Sequence, residues 1–176
     1  MIRPAAPSDA AAIQAIYAHH VAQGTGTFEE VAPNTDAMAG RMADVAGRDL
    51  PWLVDEADGR IRGFAYTAPF RLRSAYRYTV EDSVYVAPEA LGQGVGKALL
   101  AAVIEQCRTM GVREIIAVIG DTANAGSIGV HRSCGFVDVG TATGVGYKHG
   151  RFLDVVFMQL TLDDRPGPPA WAGLPL

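Results

Sequence analysis

The chain has 176 residues, 49% hydrophobic and 19% charged, and its 15 Lys and Arg against 19 Asp and Glu give a net charge of −4. This length and composition fit one domain with a real core plus a short tail, and exclude a disordered chain. A weakly acidic sequence without clustered Lys or Arg cannot neutralise phosphates efficiently, which excludes nucleic acid and an anionic membrane surface as partners.

The first residues form no apolar signal core, and no run approaches about 18 apolar residues, so the sequence reads as soluble and cytoplasmic. Cys107 and Cys134 make neither a disulfide framework nor a metal site; Cys107, inside a helical apolar pattern, reads as a small buried hydrophobe.

Ile2-Arg3-Pro4 opens as a short strand. Ser8 or Asp9 can cap a helix whose Ile13, Ile16, Tyr17 and Val21 share one face and which Gly24 ends. Phe28-Glu29-Glu30 falls in a loop, and Pro33-Asn34-Thr35 leads into a second helix over about residues 36–46. Residues 51–54 and 61–66 are strands joined by the turn signal Ala57-Asp58-Gly59. Residues 78–86, rich in β-branched and aromatic types, predict a central strand, and a helix follows from about residue 94 to Met110, stopped by Gly111. The apolar run Ile115–Ile119 predicts a strand buried on both faces. A shorter helix over about 124–133 and strands over 136–141 and 152–162 complete a domain of residues 1–163. The Pro-rich tail, 164–176, reads as irregular, either mobile or draped on the surface. The order predicts an α/β (α+β) fold, a mixed sheet flanked by helices on both faces.

The strand–turn–helix unit at 79–110 carries the strongest chemical signal. Gly92, Gly94 and Gly96 remove Cβ atoms where a backbone must approach a ligand, and the helix start then presents free N–H groups and a positive dipole end. A pyrophosphate fits such a turn. Lys97 either adds charge at its rim or is an ordinary exposed helix lysine. The spacing does not match the dinucleotide fingerprint, and no GK[ST] follows as in a P-loop. From the turn alone, a tight connection without a ligand stays open.

Three elements extend the signal: Val84-Tyr85-Val86 before the turn, the G-x-G turn itself, and Asn124-x-x-Ser127 with Gly135-Phe136 after the next strand. With these the chain resembles the GCN5-related N-acetyltransferase (GNAT) family over about residues 2–162. It is most similar to the phosphinothricin and methionine sulfoximine acetyltransferases, on Thr79-Val80-Glu81-x-Ser83-Val84-Tyr85-Val86, Ala117-Val118-Ile119, His131 and Gly146-Tyr147-Lys148-His149-Gly150-Arg151. The resemblance implies a mixed, mostly antiparallel central sheet, acetyl-CoA as cofactor, no metal, a small-molecule amine as acceptor and a homodimer with the late strand near Gly146–Phe157 and its loop near the partner's site. One position departs from the family: Leu91 stands where Gln or Arg usually helps hold a phosphate, and Gln93 is no assured substitute.

The resemblance also assigns sites. Val84, Tyr85 and Val86 would pair with the cofactor's thioester arm as an added strand does, Gly92, Gln93, Gly94, Val95, Gly96 and Lys97 would hold the pyrophosphate, and Asn124 and Ser127 would adjoin the arm. Asn124 is equally a plain helix N-cap. Glu81 matches the family's general base, with Asp82 as the competing carboxylate. Neighbouring strand residues face opposite ways, so one of the two faces the substrate, unless the bulge the family carries in this strand blurs the parity. His131 occupies the place of the family's thiolate-protonating tyrosine, against an ordinary helix histidine as the alternative; His19, His20 and His149 read as surface or interface residues. For the acceptor, Phe28, Glu29, Phe70, Arg71, Arg73, Thr79 and Val80 are the expected binding residues, with Arg77 nearby, arginines being suited to a carboxylate or phosphinate. Acetylation of a peptide N-terminus, polyamine or antibiotic amine, or a non-catalytic acyl-CoA-binding role, are the alternatives.

Overall fold

A computed structural model describes residues 1–169, 173 and 174. Among them run β1 (Ile2–Pro4), α1 (Ala10–Gln23), α2 (Thr35–Ala46), β2 (Trp52–Ala57), β3 (Arg60–Pro69), β4 (Thr79–Val86), α3 (Val95–Met110), β5 (Glu114–Gly120), α4 (Ala125–Ser133), β6 (Val137–Lys148) and β7 (Arg151–Thr161).

Local chemistry sets the boundaries. Asn34 Oδ1 accepts the Ala37 N–H at 2.8 Å and starts α2. Asp9 precedes α1 without capping it by its side chain; its carboxylate accepts instead from the Ala6 N–H and from Arg3. Gly111, at φ 90°, ends α3 by donating to Cys107 O and Arg108 O. Asp58 and Gly59, both at positive φ, make the tight hairpin between β2 and β3.

The strands form one sheet in the order β1-β2-β3-β4-β5-β7-β6, in which β4 and β5 alone among the described pairs run parallel. α3 is the crossover between them, as a parallel pair requires. Its Leu99, Leu100, Val103 and Cys107 are fully buried, as are Ile13 of α1 and Met38 of α2. Each such large side chain contributes about 1.5–3 kcal/mol of burial free energy.

Two features of β4 and β5 shape the site. The β3–β4 ladder runs from Gly63↔Val86 to Pro69↔Val80 without a register shift, so the bulge expected from the family is absent from this ladder and the parity argument holds. Tyr85 touches Tyr17 of α1 at 5.0 Å between rings, whereas Asp82 is bonded to His131 of α4. Odd-numbered residues of β4 therefore look toward α1, and even-numbered ones toward α3 and α4. Second, β4 and β5 pair only from Thr79↔Glu114 to Asp82↔Ala117, although both strands continue. Beyond that point they part. This corrects the reading of β5 as buried on both faces: Ile115, Ala117 and Ile119 are buried, but Ile116 and Val118 only partly, and Val118 borders the opening.

β6 is also longer than the predicted 136–141. It runs through Gly140, Gly144 and Gly146, and the β6–β7 ladder has register shifts at Asp138/Gly140 and Ala142/Gly146. The described part of the tail is irregular and meets the domain at Leu174, which is buried and whose N–H donates to Arg77 O at 2.9 Å. Residues 170–172 and 175–176 of the predicted tail lie outside the described residues.

Candidate active site

Where β4 and β5 part, a cleft of about 430 Å³ opens. Its walls are residues 82–86 of β4, 117–119 of β5, the turn at 90–92 and 94–97, and Asn124, Ser127 and His131 of the α4 region. Ala87 N–H donates to Arg62 O, toward β3. By the alternation of an antiparallel ladder, the backbone groups of Val84 and Val86 then point to the opposite side, into the opening. A strand edge not paired with β5 there is suited to an amide-bearing chain lying alongside as an extra strand.

At one end of the opening, Gly92 (φ 74°) and Gly94 (φ 79°) take left-handed conformations that favour glycine. The first bond of α3 runs from Ala98 N–H to Gly94 O at 3.0 Å, so the amides of Val95, Gly96 and Lys97 precede the helical ladder. A Cβ on Gly96 would lie 3.3 Å from Val86 Cγ2, which shows how closely the turn packs on the strand edge. This concentration of backbone donors at a helix start fits a pyrophosphate. Lys97 and Leu91 are both exposed at the rim, and of the two only Lys97 carries a side-chain donor. The Gln93 side chain turns away: its Nε2 donates to Glu89 O at 2.8 Å, and it does not line the cleft. Asn124 both lines the cleft and caps α4, its Oδ1 accepting from Ser127 N–H at 3.2 Å.

The two carboxylates of β4 meet different surroundings. Glu81, on the α1 side, is half-buried, and its pKa is pushed from the ordinary 4.5 to about 7, chiefly by burial, with the nearby Arg71 pulling it back and the Asp82 charge adding to the rise. A group that titrates near neutrality is suited to general-base work. Asp82, on the other side, is buried, and its Oδ2 lies 2.9 Å from His131 Nε2 while Oδ1 has no partner among the described residues. His131 Nδ1 is 2.7 Å from Ser127 O, which only accepts, so that nitrogen carries a hydrogen. Burial alone lowers the His131 pKa, but the Asp82 hydrogen bond and charge outweigh it and the net shift is upward. Both ring nitrogens are thus engaged within the wall of the cleft.

The other predicted residues separate. Thr79 shares the Glu81 face, and its carbonyl accepts the Phe70 N–H at 3.4 Å. Arg71 stacks on Phe70, 4.3 Å above the ring. Phe28 packs against Gly120 and Gly146. Glu29 is held by two hydrogen bonds from Arg41, at 2.8 and 3.1 Å, so its carboxylate is already paired. Val80 corrects the expectation: its side chain is fully buried on the α3 side and lines no cleft, because even-numbered β4 residues face the core there. Arg73 is exposed in the loop before β4, and Arg77 packs under Gly173 of the tail.

His20, read from the sequence as a surface or interface residue, lines the cleft and has its Nε2 2.9 Å from Val86 O. Its helical spacing from Tyr17 is the signal that pointed there, since residues three apart share a face. Lys148, left without a role by the sequence, is buried and donates to two carbonyls of the 24–27 loop. No sequence signal pairs residues so far apart.

Comparison with known proteins bears on this architecture. The model of the acetyltransferase (GNAT) family matches residues 9–136. The chain is 49% identical to a phosphinothricin N-acetyltransferase of Alcaligenes faecalis over 162 residues, 92% of this chain and 82% of the relative. It is 40% identical to an L-methionine sulfoximine/L-methionine sulfone acetyltransferase of Salmonella typhimurium, covering 96% of this chain and 98% of the relative. Among solved structures, a GNAT superfamily phosphinothricin acetyltransferase of Sinorhizobium meliloti, in complex with acetyl-CoA, superposes with a TM-score of 0.93 at 40% identity over 98% of this chain and 94% of the other.

Proposed function

The chain belongs to the GNAT acetyltransferase family, and from that premise we propose that it transfers the acetyl group of acetyl-CoA to the α-amine of a small amino-acid-like acceptor of the phosphinothricin or methionine sulfoximine type. The observation that carries the reading is the parting of β4 and β5 beside a helix start rich in free amides. The cradle fits the cofactor: β4 offers the edge it does not share with β5 at Val84 and at the Val86 N–H, the Val86 carbonyl being met by His20, while Val95, Gly96 and Lys97 offer backbone donors and Asn124 and Ser127 adjoin the opening. Bound acetyl-CoA supplies an activated acetyl thioester.

The chain's own residues supply proton handling and orientation. Glu81, on the α1 side of the sheet, takes a proton from the acceptor amine. Arg71, near Glu81, is suited to the acceptor's acidic group. His131, in the wall of the cleft, is the candidate proton donor to the leaving thiolate, and Asp82 keeps it protonated to higher pH. Thiol release from acetyl-CoA, measured with and without methionine sulfoximine, phosphinothricin and the common amino acids, tests the reading. Release that no free amino acid stimulates would overturn it.

Two further parts of the reading concern assembly and place. A homodimer is supported by the apolar residues that β6 and β7 expose, Val137, Val139, Val145, Tyr147 and Phe152, each 59–71% accessible. Sedimentation velocity tests this, and a monomer at micromolar concentration would contradict it. Dependence on acetyl-CoA supports a cytoplasmic location, which fractionation checks; no described helix is long and apolar enough to cross a membrane.

A further inference from the structure

The turn joining β6 to β7 reaches across the molecule to the loop between α1 and α2. Lys148 is 2% exposed, yet its Nζ donates to Gly24 O at 2.9 Å and to Thr27 O at 2.8 Å. His149, in the left-handed conformation that makes the turn, places its Nε2 3.2 Å from the same Gly24 carbonyl. Two residues before Lys148, Gly146 lies under the Phe28 ring so closely that a Cβ there would overlap it. Gly146 has no positive φ, so it is the ring rather than the backbone that excludes a side chain.

The loop has few means of its own to hold a shape. It contains Gly24 and Gly26, forms no helix or strand, and its inner anchor is the Tyr17–Thr27 hydroxyl pair at 2.9 Å. A buried ammonium is costly unless its hydrogens find acceptors. Spending two of them on carbonyls three residues apart fixes the loop's path at both ends of one turn. That path decides where Phe28 and Glu29 stand.

We propose that Lys148 and Gly146 are positioning residues for acceptor recognition: the β6–β7 hairpin clamps residues 24–28 and holds Phe28, an expected acceptor-binding residue, against Gly120 and Gly146. The inference rests on the acetyltransferase reading for its kinetic part, and on geometry alone for its structural part. Lys148→Met keeps the chain length and removes the donors. Hydrogen exchange of residues 24–30 in the unliganded protein should then accelerate at least about tenfold, while the central sheet stays protected. Unchanged exchange overturns the clamp whether or not the parent turns over any acceptor. In the parent with a working acceptor, Lys148→Met should raise the acceptor KM about tenfold and leave the acetyl-CoA Kd within about twofold. An equal loss of affinity for both ligands would mean a merely structural role and overturn the proposal.

Should Lys148→Met fail to fold, Gly146→Ala decides. It should raise the acceptor KM in the parent but add nothing in a Phe28→Ala background, where the ring it displaces is gone. An equal effect in both backgrounds overturns the route through Phe28.

Discussion

Replacing Glu81 by Gln keeps the shape of the side chain and removes its charge. In the folded protein the Glu81 pKa stands at about 7 against an ordinary 4.5, with burial the main cause. Between those two values the folded chain holds a proton that the unfolded chain has released, so this group makes stability fall as pH rises from 4.5 to 7 and adds no further change above. At about 1.4 kcal/mol per pH unit the deficit reaches at most about 3 kcal/mol above pH 7. Glu81→Gln should therefore match the parent near pH 4 and exceed it by up to about 3 kcal/mol at pH 8, in urea titrations at each pH. Activity should move the other way. The parent's kcat/KM should rise through about pH 7 as the carboxylate forms, whereas Glu81→Gln should lose that limb and about 10²–10⁴-fold in kcat. Acetyl-CoA affinity should be unchanged in calorimetry. A variant that keeps both its kcat and the limb, or a stability gap that does not widen with pH, would refute the assignment of Glu81 as the base.

Gly94→Val puts a β-branched residue at φ 79° at the start of α3 and should weaken acetyl-CoA binding at least about tenfold in calorimetry; an unchanged Kd would count against the cradle. Leu91→Arg restores a side-chain donor at the rim and should tighten acetyl-CoA by about 1 kcal/mol at low salt, whereas no change would mean backbone donors carry the whole site. Asp82→Asn removes the charge partner of His131, so the imidazole should titrate at lower pH by NMR, and breaking a buried pair should cost about 3–5 kcal/mol. The pair's contribution is present below the unfolded histidine pKa and is lost as pH rises through the raised folded value. The Asp82→Asn deficit should accordingly shrink toward alkaline pH, and a histidine that titrates as in the parent would contradict the pairing.

Local chemistry was readable where one residue sufficed to impose it. Asn34, Gly111 and the Asp58–Gly59 turn each dictate a boundary on their own, and Gly92 and Gly94 take the positive φ that a strand-to-helix turn of this kind needs. Parity along β4 was readable too, and it separates Glu81 from Asp82 as a regular ladder must. The same parity, applied two residues earlier, puts Val80 in the core; its assignment to the acceptor followed the motif rather than the pleat. The strand predicted at 136–141 stops short of the full β6, where pairing with β7 carries a glycine-rich stretch on to Lys148 and the surplus residues go into bulges. What no local pattern revealed were partnerships across the fold: Lys148 with Gly24 and Thr27, His20 with the Val86 carbonyl, and Asp82 with His131. These depend on how far β5 diverges from β4 and on how the last hairpin returns over the loop after α1, which are products of tertiary packing.

The central claim is that the opening between β4 and β5 is where an acetyl group passes from acetyl-CoA to an amino-acid amine. The most direct test follows free thiol from acetyl-CoA while single amino-acid acceptors are added to the purified protein, with the acetylated product identified by mass. Release should be saturable and acceptor-dependent, matched one-to-one by N-acetylated amino acid. Tight acetyl-CoA binding with no acceptor-stimulated release would contradict it.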